Sequence, residues 1–114
     1  MFVQKAYNYF LGKEGYQKLN CCQAVLSAFN VQGRISIKEI YDAKSHGGGK
    51  APEGRCGALH AAYVILREHP EKIKECEAAL SLEAGAITCR EIRRLRKLSC
   101  AGCVETVALC LQKT

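Results

Sequence analysis

Gly47-Gly48-Gly49-Lys50-Ala51-Pro52-Glu53-Gly54-Arg55-Cys56-Gly57-Ala58-Leu59-His60-Ala61-Ala62 is the stretch on which the reading of this chain turns. A loop dense in glycine runs straight into an apolar helical pattern, and Cys56 stands at the junction. Glycine permits positive φ and, lacking a Cβ, lets backbone approach a ligand closely. Gly47, Gly48, Gly49 and Gly57 are therefore expected to form a loop-and-backbone shell around a cofactor. The N–H groups of such a loop and of the following helix start favour negative charge. Gly49-Lys50 does not make a phosphate-binding P-loop, because the G-x-x-x-x-G-K-[ST] spacing is missing and Ala51 follows the lysine. The anion indicated is the sulfur of Cys56 itself.

Helical signals extend outward from this stretch in both directions. Val3, Ala6, Tyr7, Phe10 and Leu11 recur at helical spacing, and Gly12 and Gly15 close that run. Tyr7, Tyr9 and Tyr16 read as packing residues. Asn20 caps a helix through about Asn30, Val31 to Ile35 reads as a turn, and Ser36 with Glu39 has the spacing of a capping box opening a helix through Lys44. Cys56 to Glu68 reads as the most buried helix, carrying Ala58, Leu59, Ala62, Tyr63, Ile65 and Leu66. Pro70 suits the first position of the next helix, which ends at Gly85. Thr88 with Glu91 has the spacing of a second box, opening a helix through about Lys97, and Ser99 caps a last helix from Cys100 to Leu111. Sustained period-two alternation is absent. The expected fold is all-α: one compact bundle of about six or seven short helices filling residues 1–114, without repeats or linkers.

A chain of 114 residues can bury a core without covalent staples, so eight cysteines are not needed to hold it together. Met1 to Lys5 carries no signal-peptide pattern, and no apolar run approaches the ~20 residues of a membrane span. The expectation is a cytoplasmic protein that uses cysteine for metal or redox chemistry. Four of these residues share a placement: Cys21 follows Asn20, Cys89 follows Thr88, Cys100 follows Ser99, and Cys56 opens its helix. Helix starts offer unpaired N–H groups and lower a thiol pKa. If the four ends converge, they make a pocket for an anionic tetrathiolate centre. Cys22, Cys76 and Cys110 fall inside helices and read as small hydrophobes, and Cys103 lies one turn after Cys100.

Asn20-Cys21-Cys22-Gln23-Ala24-Val25, the Gly47–Gly49 run with Cys56-Gly57-Ala58-Leu59-His60-Ala61, Cys89-Arg90-Glu91-Ile92, and Cys100 with Val104 together resemble the C_GCAxxG_C_C family of redox-active proteins. The likeness covers roughly Asn20 to Leu109. Carried over, the family cysteines are Cys21, Cys56, Cys89 and Cys100, with Cys103 a rival for the last. Ala61 departs from the pattern, standing where CGAxxG ends in glycine. The resemblance implies redox activity without a defined reaction. A similar domain accompanies an iron–sulfur cluster in split-Soret cytochromes, an analogy that favours a cluster here.

The residues leave several chemistries open. Four thiolates suit an iron–sulfur cluster, [2Fe–2S] favoured, or tetrahedral zinc. Zinc sites are usually built from tight C-x₂₋₄-C pairs, and only Cys100-Ala101-Gly102-Cys103 has that form, so the dispersion of the ligands favours the cluster. Buried thiols without a cofactor are the third reading. A thiol–disulfide protein using Cys100 and Cys103, or a pair of the four, is the alternative of a different class. It lacks the βαβ unit of thioredoxin-like enzymes, and Val104 excludes a c-type haem motif. His60, four residues after Cys56, is a candidate ligand, proton relay or hydrogen-bonded core residue. Arg90, Arg93, Arg94, Arg96 and Lys97 form a basic patch expected on the face opposite Cys89 and Ile92. Without aromatic partners it does not read as a nucleic-acid surface; it reads as a solvated face or a dock for an acidic redox partner, in keeping with the net charge of +6. Homo-oligomerisation stays open, and no Ser-His-Asp or paired-carboxylate arrangement marks an enzyme.

Overall fold

The structure, a computed structural model, describes residues 2–30, 35–47 and 49–113. Among these, seven α-helices and no strand occur, as the capping and periodicity expect. They are α1 (Phe2–Leu11), α2 (Cys21–Ala28), α3 (Ile37–Asp42), α4 (Gly57–Ile65), α5 (Pro70–Ala84), α6 (Cys89–Leu95) and α7 (Cys100–Lys113), with short 3₁₀ turns at Ala43–His46 and Pro52–Gly54. The turn expected at Val31 to Ile35 lies, except for Ile35, outside the described residues.

Local sequence accounts for most of the boundaries. Asn20 caps α2 and forms a full box with Gln23, and Ser36 does the same for α3 with Glu39. Pro70 opens α5, and Gly85 closes it in the left-handed conformation. Ser99 accepts from Gly102 N–H at 3.0 Å at the start of α7. Helix α4 is shorter than expected, ending at Ile65 with Leu66 as its C-cap rather than running to Glu68. The chain there turns through a His69 N–H to Leu66 carbonyl bond to enter Pro70, whose ring disfavours a helical residue before it. The expected Thr88–Glu91 box does not form. Thr88 is held in an antiparallel bridge to Arg55 and Glu91 pairs with Arg94 instead, so neither side chain completes the cap. Helix α6 stops at Leu95 because Arg96 adopts φ 55°.

Helix α7 is central: α1, α2, α4 and α5 all pack on it, while α2 also packs on α4 and α1. One hydrophobic cluster runs through the bundle, with Leu26, Leu59, Leu80, Val104 and Val107 at its centre. The unusual share of alanine there (Ala24, Ala58, Ala61, Ala62, Ala84 and Ala108, all fully buried) lets the helices approach closely. Ala61 is among them, so the residue that departs from the family's glycine still packs as a small core contact. The first helix buries Ala6 fully, and Phe2 stacks on Phe29 of the α2 end at 5.0 Å. Tyr9 and Tyr16 pack edge-to-face, as packing residues should.

Leu59 is fully buried in the helix that carries Cys56 at its start. Truncating it to alanine is expected to cost about 2–5 kcal/mol. Urea unfolding followed by circular dichroism measures this; a loss below 1 kcal/mol, roughly that of a surface change, would contradict the packing described.

Candidate functional site

The starts of four helices meet at one cavity of about 110 Å³. It is lined by Cys21, Cys56, Cys89, Cys100 and Cys103 together with Phe10, Asn20, Gly57, Ile92 and Arg93. All four cysteines singled out in the sequence lie on this cavity, and Cys103, the rival for the last, lies on it too.

Each sulfur is positioned by a local device. Cys21 is the first residue of α2, and the cap Asn20 fixes that start twice over. Its side-chain Oδ1 accepts from Gln23 N–H at 2.8 Å, and its side-chain Nδ2 donates to the carbonyls of Ala43 and Lys44 at 3.0 Å each. The α2 start is thus tied to the turn before the glycine loop. Cys56 precedes α4 as its cap residue, and its backbone N–H donates to the Ile87 carbonyl at 2.8 Å. That bond and the Arg55–Thr88 bridge bring the α4 entrance beside the α6 entrance, and so Cys56 beside Cys89. Cys100 and Cys103 come from the first turns of α7, Cys100 exposed and Cys103 buried.

Glycine is required at two places around this cavity. A Cβ on Gly57 would collide with Cys21 Sγ and lie 3.0 Å from the His46 carbonyl oxygen. Gly49, at φ +86°, would place a Cβ 3.6 Å from that of Cys89. Of the expected shell, Gly57 lines the cavity. Gly47 packs on Asn20 and Gly49 on Cys89, one layer further out, and Gly48 lies outside the described residues.

The electrostatics correct one expectation. Helix starts were expected to lower the thiol pKa values, yet Cys21 is pushed up to about 11, first by burial and then by Cys56. Cys89 is also raised, again by burial first. Cys56 is raised well above the ordinary value, first by its hydrogen bond with Cys103 and then by burial. The dipolar contribution is present but smaller: the N–H of Cys22 favours the Cys21 thiolate, and those of Ala58 and Leu59 favour that of Cys56, although Cys56 makes no formed capping bond. Taking a sulfur anion out of water outweighs a partial charge of about +0.5 at a helix end. Cys103 moves the other way, lowered by the Cys56 thiol that donates to it.

Arg93 is the cavity residue that the sequence reading misplaced. Its exposed side chain borders the cavity, with Cys89 first and then Cys100 favouring its charge, rather than lying on the face away from Cys89. The spacing Cys89, Ile92, Arg93 places all three on one helix face and carried that signal. Phe10 was missed as well, because it comes from α1, outside the stretch carrying the resemblance. His60, by contrast, does not line the cavity. It stacks edge-on against His46 at 4.7 Å and meets Arg55 at 3.1 Å; burial, then His46, pulls its pKa down to about 4, so it is neutral.

Among the described residues, no group of three or more His, Cys, Asp or Glu side chains is disposed to hold a metal ion as the side chains stand. The lining nonetheless has the chemistry of a soft-metal or cluster site: five sulfurs, one guanidinium, backbone N–H groups near two of the sulfurs, and no carboxylate. No helix is long and apolar enough to cross a membrane among the described residues. Comparison of the chain with protein-family models, curated proteins and solved structures finds no match. The likeness to the C_GCAxxG_C_C pattern therefore rests on its motif residues alone.

Two outcomes follow. Gly57→Ala should destabilise the fold by about 1–3 kcal/mol, the cost of overpacking, and should speed alkylation of Cys21 as its sulfur is displaced. A melting temperature and alkylation rate equal to wild type would contradict the close approach. The metal-free, reduced protein should also lose stability at alkaline pH. The unfolded thiols ionise near 9.0, whereas Cys21 holds its proton to about 11 and Cys22 and Cys76 to about 12. Between those values the unfolded state binds fewer protons, so stability falls as pH rises. Urea midpoints from pH 8 to about 11 test this, and the decline should be shallower in Cys22→Ala.

Proposed function

We propose that this protein binds an iron–sulfur cluster in the cysteine-lined cavity and serves in electron transfer or redox sensing. The observation that carries the reading is the meeting of Cys21, Cys56, Cys89, Cys100 and Cys103, from the starts of four helices, on one cavity without carboxylates. Cys21, Cys56 and Cys89 supply three ligands, and Cys100 the fourth, with Cys103 as its rival. The resemblance to the C_GCAxxG_C_C pattern supports the same four.

Two physical arguments favour a cluster over a single ion. Zinc with bonds of about 2.3 Å draws four sulfurs to within roughly 3.8 Å of one another. A cluster binds its thiolates through different irons and accepts a wider spread, in keeping with side chains that do not close on one ion. The raised pKa values of Cys21 and Cys89 reflect burial first and then neighbouring thiolates, and that of Cys56 the Cys103 sulfur first and then burial; cationic iron would relieve these as the ligand protons are released. When bound, the cluster supplies one-electron chemistry. This chain's own part is to hold the sulfurs, donate N–H groups to them, place Phe10 and Ile92 as apolar wall, and set Arg93 as the one cation on the cavity. The exposed basic residues of α6 suit an acidic protein as redox partner.

One observation favours a second reading. Cys56 and Cys103 both line the cavity, and the influence of Cys56 holds the Cys103 pKa below the ordinary thiol value, which fits a thiol–disulfide pair. That pairing stands beside Cys100/Cys103 as a candidate dithiol of the alternative.

Anaerobic purification with assays for iron, zinc and acid-labile sulfide separates these readings. The cluster reading expects iron and sulfide together, lost in Cys21→Ser and in Cys89→Ser. Iron-free protein whose disulfide reductase activity survives Cys21→Ser but not Cys103→Ser would establish the dithiol instead. With a cluster present, Arg93→Gln should lower the reduction potential by on the order of tens of mV, since a nearby positive charge stabilises the reduced form. An unchanged potential in protein film voltammetry would remove Arg93 from that role.

A further inference from the structure

Two cysteines meet at a second place, away from the cavity. Cys76 on α5 and Cys110 on α7 set their sulfurs 3.1 Å apart, the Cys76 thiol donating to Cys110 Sγ. The two helices pack directly on one another, and neither residue lines the cysteine cavity. Cys76 is fully buried, while Cys110 is partly open to solvent. As small hydrophobes they would have no need to face each other; Cys22, equally buried, has no such sulfur partner given by a hydrogen bond.

We propose that Cys76 and Cys110 form a second redox site, a dithiol that closes to a disulfide and staples α5 to α7. A disulfide needs its sulfurs at about 2.05 Å, so they must close by only about 1 Å, within reach of side-chain rotation. The difference in access assigns the roles. Cys110 meets a low-molecular-weight disulfide first: its sulfur bonds to one sulfur of the oxidant, the oxidant's S–S bond breaks, and one thiol leaves carrying the proton of Cys110. Buried Cys76, its thiol kept protonated up to about 12 by burial and by Cys110, is closed to that oxidant but faces the mixed disulfide. Its sulfur attacks Cys110 Sγ and the second thiol departs with the Cys76 proton. Two protein thiols are thereby oxidised and one small disulfide is reduced to two thiols. The link closes a loop across 34 positions of sequence and fixes the helix that supplies Cys100 and Cys103 to the cavity.

The test uses the full chain, reduced anaerobically, with and without reconstituted iron. It is incubated with oxidised glutathione, its free thiols are blocked with N-ethylmaleimide, and the digest is mapped by mass spectrometry. The expected product is a cross-linked pair of peptides containing Cys76 and Cys110, short of two hydrogens, formed in both samples and accompanied by a raised melting temperature that Cys110→Ala abolishes. Recovery of Cys76 and Cys110 as blocked thiols, a stable glutathione adduct on Cys110 with Cys76 still free, or linkage of either to a cavity cysteine would each overturn the proposal. Formation of the cross-link in iron-free protein separates it from the fate of the cluster reading.

Discussion

The contact between Gly57 and the sulfur of Cys21 is the constraint from which the cavity follows. Two helix starts can be laid against each other at that distance only where one of them lacks a Cβ. With α2 and α4 so placed, the Cys56 N–H to Ile87 carbonyl bond draws in the entrance of α6, and the packing of α7 across α2 and α4 brings the last two sulfurs. None of these steps depends on a metal. The scaffold gathers the thiols through backbone bonds, one cap and an alanine-rich core, all neutral interactions that persist whatever the cavity holds.

The price of that gathering is electrostatic. Five sulfurs on one small cavity cannot all ionise, and the shifts of Cys21, Cys56 and Cys89 show burial outweighing the N–H groups aimed at them. Only the pair with an internal donor, Cys56 to Cys103, eases the loss of one proton. Thiolates formed there would be offset by cationic iron under the proposed reading, with Arg93 the cation already on the cavity.

The sequence carried most of this at the level of single elements. Asn20, Ser36, Pro70, Gly85 and Ser99 marked helix ends through side-chain chemistry that acts within four residues, and those ends are where expected. What failed was decided by partners distant in the chain. Thr88 has the spacing of a capping box, but its backbone is claimed by Arg55, a residue 33 positions earlier that no local pattern names. The entrance of Phe10 into the cavity depends on how α1 lies across α7. Arg93 is different, since its face could be read from the distance to Cys89, but five nearby basic residues suggested solvent alone and hid the exposed one that also borders the cavity.

Helix α7 carries sulfur at both ends of its core stripe. Cys103 and Cys110 are seven residues apart, two turns, and so lie about 10 Å apart along the helix axis with Val104, Val107 and Ala108 buried between them. That separation excludes direct thiol exchange between the two groups, which requires sulfur to reach sulfur. Any influence of one on the other must pass through the position of the helix itself. Because α7 is packed against α1, α2, α4 and α5, a small displacement meets resistance from every side. The bundle therefore keeps two sulfur groups on one element while holding them chemically apart: one on the cavity at the helix start, the other between α5 and α7 with Cys110 partly open to solvent.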